Sequence, residues 1–175
     1  MLEGVIDIYL PDLRYASSET AKAFSKTADY PVKAKNAVKE MYRQVGNLQL
    51  DSCGVAIKGL IVRHLILPER LAGSEELITW LANELSPRVT VSIMSQFYPA
   101  HRSSSVTALN RKITPAEYQE VVQLVNAAGM ENGWFQEMES AETYLPDFVG
   151  QEHPFEAKSE DEITTRWNVS PGPER

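Results

Sequence analysis

The sequence predicts an α/β protein built on a parallel sheet, and three observations carry that prediction. Short apolar runs alternate with longer amphipathic stretches in the order strand, helix, strand, helix, strand, helix, strand. The apolar runs are nearly continuous and rich in β-branched residues, as in strands covered on both faces. Polar and charged residues that fit no core gather just beyond their carboxyl ends, where α/β folds collect binding and chemistry. Right-handed crossovers follow by default. Three or four such units curve into half a barrel more readily than they complete a doubly wound sheet, although periodicity alone does not separate the two.

The opening strand is GVIDIYLPDLRY, Gly4–Tyr15, an apolar run that stops at Pro11 and leaves Asp12 and Arg14 beyond its end. A buried strand this early needs a neighbour on each side, and further strands occur only downstream. A loop with a short helix follows over 16–25, with Ser18 as its expected N-cap. The segment 30–44 is a helix: Ala34, Ala37, Val38, Met41, Tyr42 and Val45 form one stripe, closed by Gly46. A hairpin is expected over 48–57, turning at Asp51 and Gly54, with Cys53 in the turn and no base or cation beside it to make it reactive.

GLIVRHLILP, residues 59–68, is the second buried strand. Ser74 should cap a helix whose buried face is Leu77, Ile78, Leu81, Ala82 and Leu85. Residues 89–95 form the third strand, followed by the dense loop Gln96-Phe-Tyr-Pro-Ala-His-Arg102. Thr114-Pro-Ala-Glu117 is a capping box that opens a helix to about Ala128. Residues 133–138 are a short last strand. The chain thus divides into a folded body, 1–138, and an acidic tail, 139–175, expected to be disordered. His153 lies in that tail and carries no expected role.

Of the seven net negative charges, six fall from Glu139 onward, where nine acidic residues face three basic ones. The body is close to neutral and shows no basic patch for nucleic acid and no polybasic helix for a membrane surface. No apolar run reaches the roughly 18 residues of a transmembrane helix, and no signal-peptide pattern opens the chain, so it reads as cytoplasmic. The single cysteine excludes an internal disulfide and any thiolate-held cluster built from this chain alone. No glycine-rich phosphate loop is present.

Arg63 stands in the middle of an apolar strand, where burial is costly without a partner. It is either a structural ion pair, with Asp7 or Asp12, or a guanidinium aimed at a carboxylate or phosphate ligand. Its neighbour His64 reads as a core histidine with satisfied ring nitrogens.

DIYLPDLRY, AKNAVKEMYRQVG, GLIVRHLILP and SQFYPAHR, in this order and spacing, closely resemble the C-terminal half of radical SAM proteins similar to pyruvate formate-lyase activating enzyme. The resemblance spans about 4–137 and excludes the acidic tail. It implies part of an incomplete (β/α)6 barrel. In that family three cysteines spaced CxxxCxxC hold a [4Fe–4S] cluster, which cleaves S-adenosylmethionine to a 5′-deoxyadenosyl radical. In activating enzymes the substrate is a glycine of a partner protein.

By the same resemblance, Asp12 and Arg14 match an Asp-Leu-Lys segment near the methionine part of S-adenosylmethionine, with arginine in place of lysine. Arg63 matches an inward-pointing arginine of the next strand, which favours the ligand-facing reading. Gln96, Tyr98 and His101 match groups set against ribose or substrate at the end of the last strand. The cluster cysteines and the acidic motif for the S-adenosylmethionine amine are absent, and no metal ligands are assigned. The expected function is therefore the C-terminal portion of such an enzyme, inactive alone, with an N-terminal half as partner. The alternative is a non-catalytic half-barrel that binds or dimerises through its exposed sheet edge.

Overall fold

The computed structural model describes residues 2–138 and 164–166. They form a six-stranded sheet with helices packed on one of its faces. The elements are β1 (Ile8–Tyr9), α1 (Ser18–Ser25), α2 (Tyr30–Val45), β2 (Gln49–Leu50), β3 (Ala56–Leu65), α3 (Ser74–Glu84), β4 (Thr90–Met94), α4 (Pro115–Ala127), β5 (Asn132–Gln136) and β6 (Thr164–Arg166). The strand order is β1-β3-β4-β5-β6, with β2 folded back antiparallel on β3. β1, β3, β4 and β5 are mutually parallel, and β6 is antiparallel to β5. An α/β protein with a parallel sheet is thus what the chain folds into. The expected acidic tail, His153 included, lies outside the described residues apart from β6.

Each helix forms where its stripe can meet the sheet. Val38 and Val45 of α2, Leu77, Ile78 and Leu81 of α3, and Val121 and Val125 of α4 share one core with Leu60, Val62, Val91 and Ile93 of the strands. Burial of these aliphatic side chains contributes about 1.5–3 kcal/mol each, and it is what fixes the sheet's inner face. The capping box of α4 is present in full, with Thr114 Oγ1 taking the Glu117 amide at 3.2 Å and Glu117 taking the Thr114 amide at 2.8 Å.

Three local expectations shift. The opening run is ordered as strand only over Ile8–Tyr9, with Val5 and Leu10 exposed, because β3 is its one pairing neighbour among the described residues. Ser17, not Ser18, caps α1, its hydroxyl accepting from the amides of Glu19 and Thr20. Ser74 does not cap α3 by its side chain, which is instead bonded to His64. The turn between β2 and β3 forms as expected: Asp51 Oδ1 accepts from Cys53 and Val55 amides at 2.8 and 2.9 Å. Cys53 is exposed there.

Candidate functional site

The register of the sheet places its chemistry. Side chains alternate across a strand. Leu60, Val62 and Ile66 face the helices, so Ile61, Arg63 and Leu65 face the other way. Arg63 pairs in register with Asp12 on one side and with Ser92 on the other. Arg63 therefore lies outside the apolar core, its side chain 43% exposed, while its Nε is buried against Asp12.

Asp12 is held by its neighbours on the chain. Pro11 gives its carbonyl to the Arg63 amide, and the Leu13 amide returns a bond to the Arg63 carbonyl, both at 2.9 Å. Leu13 is fully buried in the core, which turns Asp12 and Arg14 outward on either side of it. Tyr30, the first residue of α2, closes the arrangement. Its hydroxyl donates to the Asp12 carbonyl at 3.1 Å and accepts the Arg14 amide at 2.9 Å. Burial raises the Tyr30 pKa above its usual value, so the phenol stays protonated and able to donate.

The outcome is one carboxylate between two guanidinium groups. Asp12 Oδ1 lies 2.7 Å from Arg63 Nε, and Asp12 Oδ2 lies 3.2 Å from Arg14 Nη2. The first contact is ionic and lies off the line of a hydrogen bond. The three side chains are 28% (Asp12), 43% (Arg63) and 55% (Arg14) exposed, open enough to meet a ligand. The trio keeps one net positive charge and many unused N–H donors, which suits a carboxylate or phosphate. Of the two partners weighed for Arg63, Asp12 is the one it meets.

His64 is the core histidine the sequence suggested. Its Nδ1 lies 2.8 Å from the Leu13 carbonyl, which can only accept, so Nδ1 carries the proton. Nε2 then accepts from the Ser74 hydroxyl at 2.8 Å. Burial pushes the imidazole pKa below its ordinary value, against the weaker upward pull of the Leu13 carbonyl. The ring links the segment after β1, β3 and the start of α3.

At the end of β4, Ser92, Met94 and Gln96 share the face of Arg63. Gln96 itself lies two residues past the end of β4. Its Oε1 accepts from Gln136 Nε2 at 2.9 Å, and Gln136 Oε1 takes the Ser95 amide at 3.2 Å. Tyr98 lies in the following loop with Lys112 Nζ 5.5 Å from its ring centre. His101 is exposed and opens a 3-10 turn, His101–Ser105, with φ of +51°. No hydrogen bond or ion pair joins Tyr98 or His101 to Asp12, Arg14 or Arg63 among the described residues. The fold thus joins three of the six candidates and puts a fourth on the same face.

Tyr30 and Trp134 escaped the sequence reading. Tyr30 looked like an ordinary first helical residue, and no local signal marks its hydroxyl. Trp134 could have been noticed through alternation within GWFQ, because Phe135 packs toward the core and Trp134 takes the opposite face.

A separate cleft of about 200 Å³ lies at the start of α3, with Ile66, Leu67, Val121 and Leu124 among the residues lining it. Most of the charges on its rim are already spent: Arg70 pairs with Glu120 at 2.7 Å, Lys35 with Glu76 at 2.7 Å, and Arg111 with Glu117 at 2.8 Å. Among the described residues no group of three His, Cys, Asp or Glu could hold a metal ion. No helix among them is long and apolar enough to cross a membrane.

No protein-family model matches the chain, and no solved structure matches it. Among curated proteins it is similar to an uncharacterized protein of Methanocaldococcus jannaschii, MJ0674, with 24% identity over 125 residues. That alignment covers 71% of this chain and 32% of the archaeal protein, so the chain spans about a third of the relative's length.

Proposed function

We propose that this chain forms one wall of an S-adenosylmethionine and substrate pocket, as the C-terminal part of a radical SAM half-barrel of the activating-enzyme type. The observation that carries the reading is the position of Asp12 between Arg14 and Arg63, past the carboxyl end of a parallel strand. A free amino-acid head group is a zwitterion. The two guanidinium groups suit its carboxylate and Asp12 suits its ammonium, so the donor set fits the methionine end of the cofactor. Bound beside a reduced cluster, S-adenosylmethionine is a source of a carbon radical. This chain's residues would bind and orient it.

The [4Fe–4S] cluster does not fit this chain. It needs three thiolates, and the sequence holds one cysteine, exposed in a hairpin turn. The chain alone is therefore a binding wall without cleavage chemistry. A partner with the cluster ligands would complete the pocket, in a cytoplasmic setting and with a protein glycine as substrate. Co-expression with an N-terminal half carrying CxxxCxxC should give a brown complex that releases 5′-deoxyadenosine on reduction. A colourless complex that releases none would overturn the reading.

A second reading has its own observation. β1 pairs with β3 alone among the described residues, and Val5, Leu10, Leu50, Val55 and Ile57 are exposed in and beside β1, β2 and the start of β3. An unpaired, apolar edge recruits strands, so the half-barrel would act as a non-catalytic dimerising or docking module. Light scattering decides: a monodisperse monomer at high concentration counts against it.

A further inference from the structure

Among the described residues β5 is the last strand of the parallel sheet, and its outer side is taken by β6, a strand from the far end of the chain. The two run antiparallel, with Trp134 beside Arg166, Phe135 beside Thr165 and Gln136 beside Thr164. β6 is three residues long, and 27 residues separate it from β5. A permanent edge strand is as a rule longer and joined by a short connection. The stretch 163–169, ITTRWNV, stands out from the acidic and proline-rich sequence around it, five of its seven residues being β-branched or aromatic.

β5 does not depend on β6 for its own place. Its inner side is in parallel register with β4 from Asn132 to Phe135. Gly133 allows the close approach of the two strands, because a Cβ there would run into the Val91 carbonyl oxygen. Asn132 Nδ2 donates to the Arg88 carbonyl at 2.9 Å. The Phe135 ring meets Tyr118 of α4 edge to face at 6.3 Å, and the Gln136 side chain bonds both the Ser95 amide and Gln96. The strand is thus anchored at its start, middle and end by groups other than β6. Once β6 leaves, its outer N–H and C=O groups stand as a fixed template for another strand.

We propose that the outer edge of β5 is a docking site for an extended segment of a partner protein, added as an antiparallel strand, and that β6 is its tethered competitor. The partner segment shares the chemistry of β6, β-branched and free of proline where it pairs. Main-chain hydrogen bonds supply the affinity, as in other cases of strand addition. A three-residue ladder makes few such bonds, each of small net worth against water. The tether holds β6 in place chiefly by keeping its local concentration high. A longer partner strand, with more bonds, displaces it. The inference is independent of the cofactor reading and of the open edge at β1.

The probe is a fluorescein-labelled peptide of the chain's own 161–169 sequence, DEITTRWNV, titrated by anisotropy into the full chain. Alternate residues of an antiparallel strand donate to one neighbour. The double variant Thr164→Pro, Thr165→Pro therefore removes a ladder donor whichever of the two residues donates. The peptide should bind this variant about tenfold or more tightly than the wild type, whose own tail occupies the edge. It should also restore the β5 amides that exchange faster in the variant. A peptide with both threonines replaced by proline should not bind. Equal affinity for the two chains, no binding to the variant, or a proline peptide that binds as well as its parent would each overturn the proposal. So would protection gained at Ile8 and Tyr9 instead of β5. Circular dichroism checks the fold of the variant. If it does not fold, the wild-type chain decides: excess peptide should speed exchange of the protected amide among Thr164 and Thr165, and unchanged protection there overturns the docking site.

Discussion

The Tyr30 hydroxyl donates to the Asp12 carbonyl at 3.1 Å and accepts the Arg14 amide at 2.9 Å. A side chain from the start of α2 thereby fixes the backbone on both sides of Leu13, and with it the direction of both charged side chains. Tyr15 adds an edge-to-face contact to the same ring, with centres 5.7 Å apart. The backbone that carries Asp12 and Arg14 is consequently fixed, which would lower the ordering cost of binding at the proposed site.

Tyr30→Phe should release that clamp. The freed groups are near the surface and can turn to water, so the stability cost is about 1 kcal/mol. The amide of Arg14 should exchange with solvent much faster than in the wild type, as read by hydrogen exchange. Unchanged protection of that amide would show that the hydroxyl does not hold the segment.

His64 should make stability depend on pH near neutrality. Its folded pKa is depressed by burial, while the unfolded chain titrates near the ordinary value of 6.5. Below that value the unfolded state takes up a proton that the folded state refuses. Stability therefore rises with pH up to about 6.5 and falls below it by up to about 1.4 kcal/mol per pH unit. His64→Gln, which still offers a donor and an acceptor, should lower stability at pH 7 yet flatten this slope. Urea midpoints at pH 7.5 and 5.5 check it; parallel slopes in the two proteins would refute the assignment.

Glu117 joins three segments. It caps α4, pairs with Arg111, and accepts the Glu69 amide at 2.7 Å. Glu69 and Arg70 both have positive φ, 55° and 57°, so this contact steadies a strained turn. Chiefly through Arg111, the Glu117 pKa is lowered from 4.5 to about 2. Its contribution is present above pH 4.5 and is lost as pH falls toward 2. Glu117→Gln should cost about 1–2 kcal/mol at pH 7, seen in thermal melts, and a melt unchanged from wild type would argue against the anchor.

Gly59 lies in β3 where the Asn47–Leu48 backbone crosses close against it. Its φ is +130°, and a Cβ there would stand 2.5 Å from Leu48 Cα and 2.6 Å from the Asn47 carbonyl oxygen. Those are backbone atoms with little freedom to move. Gly59→Ala should destabilise by about 2–3 kcal/mol, measured by denaturant unfolding. A loss under half of that would mean the crossing is looser than described.

Much of the helical layer was legible in advance. The stripe of α2, the capping box of α4 and the Asp51–Gly54 turn are local devices, and each formed where its residues stood. The opening strand was less legible. Its apolar run reads as buried on both faces, but burial depends on neighbours, and β1 has one strand beside it and Val5 and Leu10 in solvent. Ser74 carries the same lesson: a serine before Glu75 and Glu76 looks like a cap, but a buried imidazole nearby is the stronger partner.

Sequence by itself determined the α/β class, the parallel order of strands and helices, and the presence of Asp12 and Arg14 past a strand end and of Arg63 within the next strand, because these follow from period, capping and turn chemistry along the chain. Only the tertiary structure decided which residues meet. Parallel register sets Asp12 against Arg63 across a gap of 51 positions and runs on through Ser92 to Trp134. Tyr30 reaches back over 18 positions to hold the segment that bears two of them. Such pairings are long-range, and the sequence pattern encodes the faces of each element but not the register in which two elements dock.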